Sequence, residues 1–523
     1  MKVKRMKTIR ILWTDDEIDL LRPHIIFLEQ KGYQVSTSSN GSDAIDLVRD
    51  NHFDIIFLDE NMPGLTGLQT LTEIKNLEPN VPVVMITKSE EEDIMDQAIG
   101  SKIADYLIKP VNPKQILLSI KKNVDQHELV TRKTTSDYQS EFGKIGMRLN
   151  ERLDHEDWKE VYRKLVFWEL ELSASMDSTM DEILQMQKAE ANNNFSRYIK
   201  NNYLSWFEKD QKERPMLSPD LFRHKIFPLL NKTERVFVLV IDNLRYDQFR
   251  VLSKVINQYF LTEEEELYYS ILPTATMYAR NAIFAGLMPS EIARIYPNFW
   301  EEDDNESHKN VHEKELLQEQ MKRLGRSEKM YFEKVGSLKT GKKFQETLNQ
   351  VLQNNLSVMV FNFVDMISHA RTDTEVMREL ASDEKAYRSL TLSWFNHSFL
   401  LELLKSLAEN QVKVVITTDH GTVRVNNALK VVGDRETVTN LRYKLGRNLN
   451  YNPKEVFEIA QPEKAFLPGR NVSSRFIFAC NDDFLAYPNN YNHYVQYYRD
   501  TFQHGGISME EMIVPVVTLK PKS

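Results

Sequence analysis

The chain of 523 residues has a single cysteine, Cys480, so it cannot form an internal disulfide, and its chemistry suits a reducing, cytoplasmic setting. Long apolar runs are missing as well: nothing reaches the ~18 uninterrupted apolar residues expected of a spanning helix. The basic start, Met1-Lys2-Val3-Lys4-Arg5-Met6-Lys7, leads into a short strand pattern and then charged residues, unlike a signal peptide. Positive charge is in deficit, with a net charge of −9 and a pI near 5.9. That argues against a broad duplex-binding surface and leaves only a local basic groove open. No helix-turn-helix with a basic recognition helix stands out, so a directly DNA-binding transcription factor is disfavoured. The length exceeds what one core organises, and roughly two or three domains are expected.

Two further absences divide the chain. Proline does not occur from 114 to 214, nor glycine from 147 to 285. Within that window apolar residues recur at helical spacing, as in Trp158, Val161, Leu165, Trp168 and Leu172, then Met180, Ile183, Ala191, Phe195, Tyr198, Tyr203 and Trp206. Asp154 and Asp177 are the expected helix caps. Residues 125–208 therefore read as a helical bundle spacing two α/β domains, 1–124 and 209–523, with the aromatic and methionine stripe as its core. Pro215, Pro219 and Pro228 end the helical regime.

The first domain alternates strand and helix patterns with tight connections, which predicts a five-stranded, doubly wound parallel sheet. Its strands are Thr8 to Trp13, Gln34 to Thr37, Ile55 to Leu58, Val81 to Ile86 and Ala104 to Ile108. Asp15-Asp16 follow the first strand, Asp59 the third, Thr87 the fourth and Lys109-Pro110 the fifth. Three carboxylates beside a hydroxyl and an ammonium suit Mg²⁺-assisted phosphorylation of an aspartate. This segment resembles the CheY-like receiver domain of response regulators at every motif position. The resemblance implies that Asp59 accepts the phosphoryl group, while Asp15, Asp16, Asp59 and the carbonyl of Asn61 hold one Mg²⁺. It also implies that Thr87 and Lys109 contact the phosphoryl group, that Lys109-Pro110 is cis, and that Tyr106 is the switching aromatic.

The third domain is organised around Val412 to Gly421, a buried-strand pattern running into Asp419-His420-Gly421. Three other segments keep it company. An apolar strand run from Val358 to Val364 ends in Asp365 with His369 four residues on, and the Val236 to Ile241 run ends in Asp242. Near the carboxyl end, His504-Gly505-Gly506 precedes the Ile513-Val514-Pro515 strand pattern. Because doubly wound sheets collect strand ends on one rim, three aspartates and three histidines can share a crevice. Mixed oxygen and nitrogen donors without thiolate suit two Zn²⁺ ions, which can clamp a phosphoryl displacement. A hydroxyl nucleophile is available in Pro273-Thr274-Ala275-Thr276-Met277-Tyr278-Ala279-Arg280-Asn281.

This order of motifs resembles the alkaline phosphatase superfamily, and Thr-Met-Tyr-Ala-Arg is similar to its PglZ branch. The resemblance implies one zinc on Asp242, Asp419 and His420, a second on Asp365, His369 and His504, and a bridging threonine. Counting back from Gly286 favours Thr276 as nucleophile, with Thr274 as the alternative, because the chain lacks the Phe-Pro-Asn of diesterase relatives just after the pair. A threonine without an evident extra phosphate clamp points to diesters. Arg245, Asp247, Arg280 and Asn281 are candidates for substrate contact or ligand support, with structural salt bridges as the alternative. His308 and His312 lie four apart in a charged insertion, not after a buried strand, and are read as surface.

Receiver, helical segment and PglZ-like domain together resemble PorX-like response regulators of type IX secretion. That resemblance implies a cognate histidine kinase, a contact at the cytoplasmic face of the secretion machinery, and an extracytoplasmic-function sigma factor as a further partner. Two functions follow. One is a two-zinc phosphodiesterase acting on nucleotide or oligonucleotide diesters, governed by phosphorylation and by a phosphorylation-dependent homodimer. The other is a non-catalytic module that senses a nucleotide and relays phosphorylation by partner choice.

Overall fold

The computed structural model describes residues 9–79, 81–88, 103–174, 178–208, 214–300, 310–335, 344–381, 383–434, 437–471, 473–489 and 491–522. The expected cap Asp177, the strand start Thr8 and His308 lie outside them. Two compact units form, Met1–Asp137 and Tyr138–Ser523.

In the first unit the strands are β1 (Arg10–Thr14), β2 (Gln34–Ser38), β3 (Ile55–Asp59), β4 (Val83–Thr87) and β5 (Asp105–Ile108). They alternate with α1 (Arg22–Gln30), α2 (Gly41–Asp50), α3 (Gly67–Leu77) and α4 (Pro113–Ile120). The sheet order is β2-β1-β3-β4-β5, parallel throughout, as expected of a CheY-like receiver. β3 and β4 are buried along their whole length, which explains why they read as unbroken apolar runs. β4 begins two residues later than the apolar run at Val81, since Pro82 has no N–H for the ladder. Thr66 with Gln69, and Asn112 with Gln115, cap α3 and α4 reciprocally. Lys109-Pro110 is cis.

The second unit is built on a six-stranded sheet of β6 (Val236–Ile241), β7 (Phe260–Tyr269), β8 (Met330–Val335), β9 (Leu356–Phe361), β10 (Lys413–Thr417) and β11 (Ile513–Pro521). Its order is β7-β11-β10-β6-β9-β8. β10, β6, β9 and β8 are parallel, whereas β11 runs antiparallel to both β10 and β7. The carboxyl ends of β6, β7, β9 and β10 therefore meet the amino end of β11 on one rim, and every expected ligand segment leaves from there.

Among its helices are α5 (Gln126–Leu149, which contains the boundary between units), α6 (His155–Ala174), α7 (Ser178–Asn202), α8 (Tyr246–Ile256), α9 (Thr276–Ala285), α10 (Glu313–Arg323), α11 (Phe363–Asp373), α12 (Glu384–Asn396) and α13 (Met509–Met512). Asp365 does not end a strand: β9 stops at Phe361, and Phe363-Val364-Asp365 form the first turn of α11. Strand and buried helical turn are both apolar here, so the run could not show the change of period. The consequence is favourable, because Asp365 and His369 share one helix face at i,i+4.

Asp154 caps α6 by accepting the Glu156 and Asp157 N–H groups at 2.8 and 2.9 Å. The aromatic stripe is core, as expected, yet it is not the core of a separate spacer. Trp158, Leu165, Phe195, Tyr203 and Trp206 are buried in one cluster with residues of β6, β7 and β10. Phe195 stacks on Tyr269 of β7 with ring centroids 6.3 Å apart, and Trp206 meets the same ring edge-on at 5.5 Å. Phe195→Ala should therefore cost roughly 3–5 kcal/mol, and calorimetry should show Tyr138–Ser523 losing stability as one transition. A separate, unshifted transition for residues 209–523 would contradict the shared core.

Candidate metal centres

In the first unit, carboxylate oxygens of Asp15, Asp16 and Asp59 lie within 4.8 Å of one another. Lys109 reaches in from the end of β5, its Nζ 2.8 Å from Asp15 and 3.0 Å from Asp59. Burial pushes the Asp59 carboxyl up to about 6, with Lys109 opposing and Asp15 adding to the rise. A set of hard oxygen donors short of positive charge fits a divalent cation of the magnesium type. Thr87 is buried and donates its hydroxyl to the Glu60 carboxylate, while Tyr106 stands 40% exposed and Asn61 is exposed.

In the second unit the six expected ligands form two groups, Asp242 with Asp419 and His420, and Asp365 with His369 and His504. Within each group the ligating atoms lie within 4.8 Å of one another. The groups adjoin: the His420 and His504 rings stack with centroids 4.4 Å apart. The first group is fully buried, and Asp419 Oδ2 has no hydrogen-bond partner among the described residues. A buried carboxylate oxygen without a donor is costly, and a cation would satisfy it. The donor set and this orphan oxygen fit a metal ion in each group.

The electrostatics point the same way. Burial and the neighbouring Asp242 push Asp365 up to about 7, and Asp419 is raised for the same two reasons. Burial also acts on Asp242, but Arg280 and His420 outweigh it and hold that carboxyl below its ordinary range.

The two threonines occupy different places. Thr274 is buried, its Oγ1 donating to the Gly506 carbonyl at 2.9 Å and accepting the Gly505 N–H at 3.1 Å. Its hydroxyl pins the histidine-bearing loop, and its carbonyl lies 3.2 Å from His504 Nδ1. Thr276, the first residue of α9, is partly exposed, with its Oγ1 3.0 Å from His420 Nε2 and 3.4 Å from Asp242 Oδ1.

The arginines need correction as substrate contacts. Arg245 is 1% exposed, paired with Asp247 and Glu384 at 2.5 Å each, so it buttresses the fold and is not open to substrate. Arg280, one turn along α9 from Thr276, is equally buried. Its guanidinium sits 2.6 Å from Asp242, 3.8 Å from Asp419 and 2.6 Å from Glu313 of α10, which makes it a support for the ligands. Asn281 is buried with its Oδ1 unpartnered, and among the described residues no hydrogen bond ties it to the ligand set. His312 stacks on Phe299.

Sequence reasoning missed Asn243. It sits at φ 64°, a left-handed conformation that asparagine tolerates. Its N–H donates to Asp419 at 3.3 Å and its side-chain amide to Asp365 at 3.1 Å, so one residue spans both groups. An asparagine directly after a ligand at a strand end was the only signal. It also missed Glu511, a fully buried carboxylate that accepts from Gly506 N–H and pairs with Arg442 at 2.7 Å. Gly421 is needed for close approach: a Cβ there would lie 2.1 Å from the Glu510 carbonyl oxygen.

Comparison with known proteins agrees with this anatomy. The family model of the response regulator receiver domain matches residues 11–121, that of the PorX response regulator linker domain residues 128–207, and that of the BREX system PglZ alkaline phosphatase-like domain residues 221–519. Among curated proteins, the transcriptional regulatory protein ZraR of Klebsiella oxytoca is 31% identical over 138 residues, covering 26% of this chain and 31% of its own length. The alginate biosynthesis transcriptional regulatory protein AlgB of Pseudomonas syringae pv. tomato is 35% identical over 123 residues, covering 24% of this chain and 28% of its own. The transcriptional regulatory protein SrrA of Staphylococcus aureus is 31% identical over 111 residues, covering 21% and 46%. The chain thus spans less than half the length of each of these relatives. A receiver domain protein from Clostridium thermocellum, of known structure, is 28% identical, covers 23% of this chain and 98% of its own, and has a TM-score of 0.22. With its PglZ match covering more than half of the sequence and joined to receiver and linker matches, the chain belongs to the PglZ alkaline phosphatase-like family, in the architecture of PorX-like response regulators.

Proposed function

We propose that this response regulator, phosphorylated on Asp59, is a two-zinc phosphodiesterase acting on nucleotide or oligonucleotide diesters. The observation that carries the reading is Thr276, a hydroxyl at a helix amino terminus, within 3.4 Å of two members of one ligand group. Asp242, Asp419 and His420 would hold one zinc, and Asp365, His369 and His504 the other. Zinc bound there would supply the positive charge that favours a deprotonated hydroxyl and the charge developing on a phosphoryl group.

The chain's own residues do the rest. Thr276 Oγ1, having lost its proton to water, attacks phosphorus; the bond from phosphorus to one alcohol oxygen breaks and that oxygen takes a proton from water. A water molecule then cleaves the Thr276 Oγ1–phosphorus bond, releasing the phosphomonoester and restoring the hydroxyl. The amino terminus of α9 favours negative charge at that hydroxyl. Arg280 and Asn243 keep the ligand carboxylates oriented. Both nearby arginines, Arg245 and Arg280, are committed to carboxylates, which supports a diester over a monoester, whose extra negative charge needs its own cation.

A cognate sensor histidine kinase supplies the receiver's input, and we place the output in type IX secretion, with a component at the cytoplasmic face and a sigma factor as partners. Phosphorylation of Asp59 is proposed to promote a homodimer and to change access to the zinc crevice. Sedimentation and diesterase rate measured on one sample, with and without beryllofluoride and with Asp59→Ala as control, should show dimers and a change of roughly five-fold or more. A monomer with beryllofluoride bound defeats the dimer.

On bis-p-nitrophenyl phosphate, Thr276→Val should lower kcat by roughly 10³-fold or more with zinc retained, whereas Thr274→Val should chiefly lower the melting temperature. His369→Ala should lose about one zinc per chain by elemental analysis. Wild-type protein that holds two zinc ions yet turns over no diester would sink the enzyme reading.

Zinc uptake should also depend on pH. In the metal-free chain Asp365 keeps its proton up to about pH 7. A metal must displace that proton, so affinity should fall as pH drops through 7 and binding should release protons, which calorimetry in buffers of differing ionisation enthalpy can measure.

A further inference from the structure

We propose that Asn192, on helix α7 of the linker segment, is a positioning residue for both metal groups and acts through the short helix α13. This rests on the two-zinc reading above and names a residue that sets how firmly those metals are held.

Asn192 is buried and makes a two-pronged contact across 317 and 318 positions of sequence: its Oδ1 accepts the Met509 N–H at 2.8 Å, and its Nδ2 donates to Glu510 Oε2 at 2.9 Å. Lys188, one turn earlier on α7, lies with its Nζ 3.6 Å from the other oxygen of Glu510 and 2.7 Å from Glu169 of α6. Met509 and Glu510 open α13, so the linker grips that helix by its first turn.

From α13 two short paths lead to the ligands. Glu511 accepts the Gly506 N–H at 2.9 Å, and Gly506 is two residues from His504, whose loop is closed on its other side by Thr274. The carbonyl of Glu511 accepts the Gly421 N–H at 3.1 Å, and that of Glu510 packs so closely on Gly421 that no Cβ would fit. Gly421 follows the ligand His420. A shift of α13 thus reaches His504 in one group and His420 in the other. The linker helices thus brace the metal site through α13 as well as forming a layer of the core, and moving α7 would loosen both groups together.

The test reverses the hydrogen bond. Asn192→Asp keeps the acceptor for Met509 but sets a carboxylate against Glu510, and Asn192→Asp combined with Glu510→Gln restores the bond with donor and acceptor exchanged. Two readouts are taken: amide exchange over residues 419–421 and 504–512 in metal-free protein, and zinc affinity by chelator competition. The single variant should exchange faster in both segments and hold zinc roughly ten-fold more weakly, and the double variant should recover both. Unchanged exchange and affinity in the single variant, with only a lower melting temperature, would show Asn192 to be merely structural and overturn the proposal. So would a double variant that stays as impaired as the single. Wild type that binds no zinc would defeat the metal reading separately, and the exchange result, which needs no metal, still supports or overturns the positioning role.

Discussion

Carboxylates gathered around one buried rim of a protein cannot all remain ionised without cations among them. Asp242, Asp365 and Asp419 impose that condition on the larger unit, and much of its architecture answers it. Arg280 stands against Asp242 and is itself balanced by Glu313, so α9 carries both the Thr276 hydroxyl and the cation that steadies Asp242. The charge this leaves unmatched shows in the raised Asp365 and Asp419 carboxyls and in the Asp419 oxygen that accepts no hydrogen bond among the described residues. A site so built is poised for metal ions.

The receiver meets the same condition on a smaller scale. Asp59 is raised by burial and by Asp15, and Lys109 supplies the internal cation. Both units place their acids at the carboxyl ends of parallel strands, where backbone turns away from the sheet and side chains converge. In the larger unit the antiparallel β11 adds its amino end to that rim, which is how a histidine near the end of the chain reaches ligands contributed much earlier.

Holding such a rim steady takes contacts that are not themselves chemical. Asn243 links the two ligand groups, Glu511 with Arg442 fixes the glycine loop behind His504, and Thr274 closes it. The linker helices join this scaffold because an amphipathic pair cannot bury a stripe as wide as Trp158 to Trp206 alone, and the β7 edge offers Tyr269 to complete it.

The sequence by itself determined the parts that are local. An apolar run ending in an acid marks a buried element and its rim residue, so the five receiver strands, Asp59, Asp242 and Asp419 could be read from sequence, as could Asp365 and His369 four apart, although the run before Asp365 gave no sign of the helix that carries them. Tertiary structure alone decided between neighbours of equal chemistry. Thr274 and Thr276 are the same residue type two apart, and only the start of α9 turns one to the ligands and the other to the glycine loop. Arg245 and Arg280 both follow motif residues, and only the positions of Glu384 and Glu313 show that neither is free for substrate. The place of α6 and α7 in the core, and the bond from Asn192 to α13, belong to the same class. They depend on which surfaces meet across hundreds of residues, and no local spacing encodes that distance.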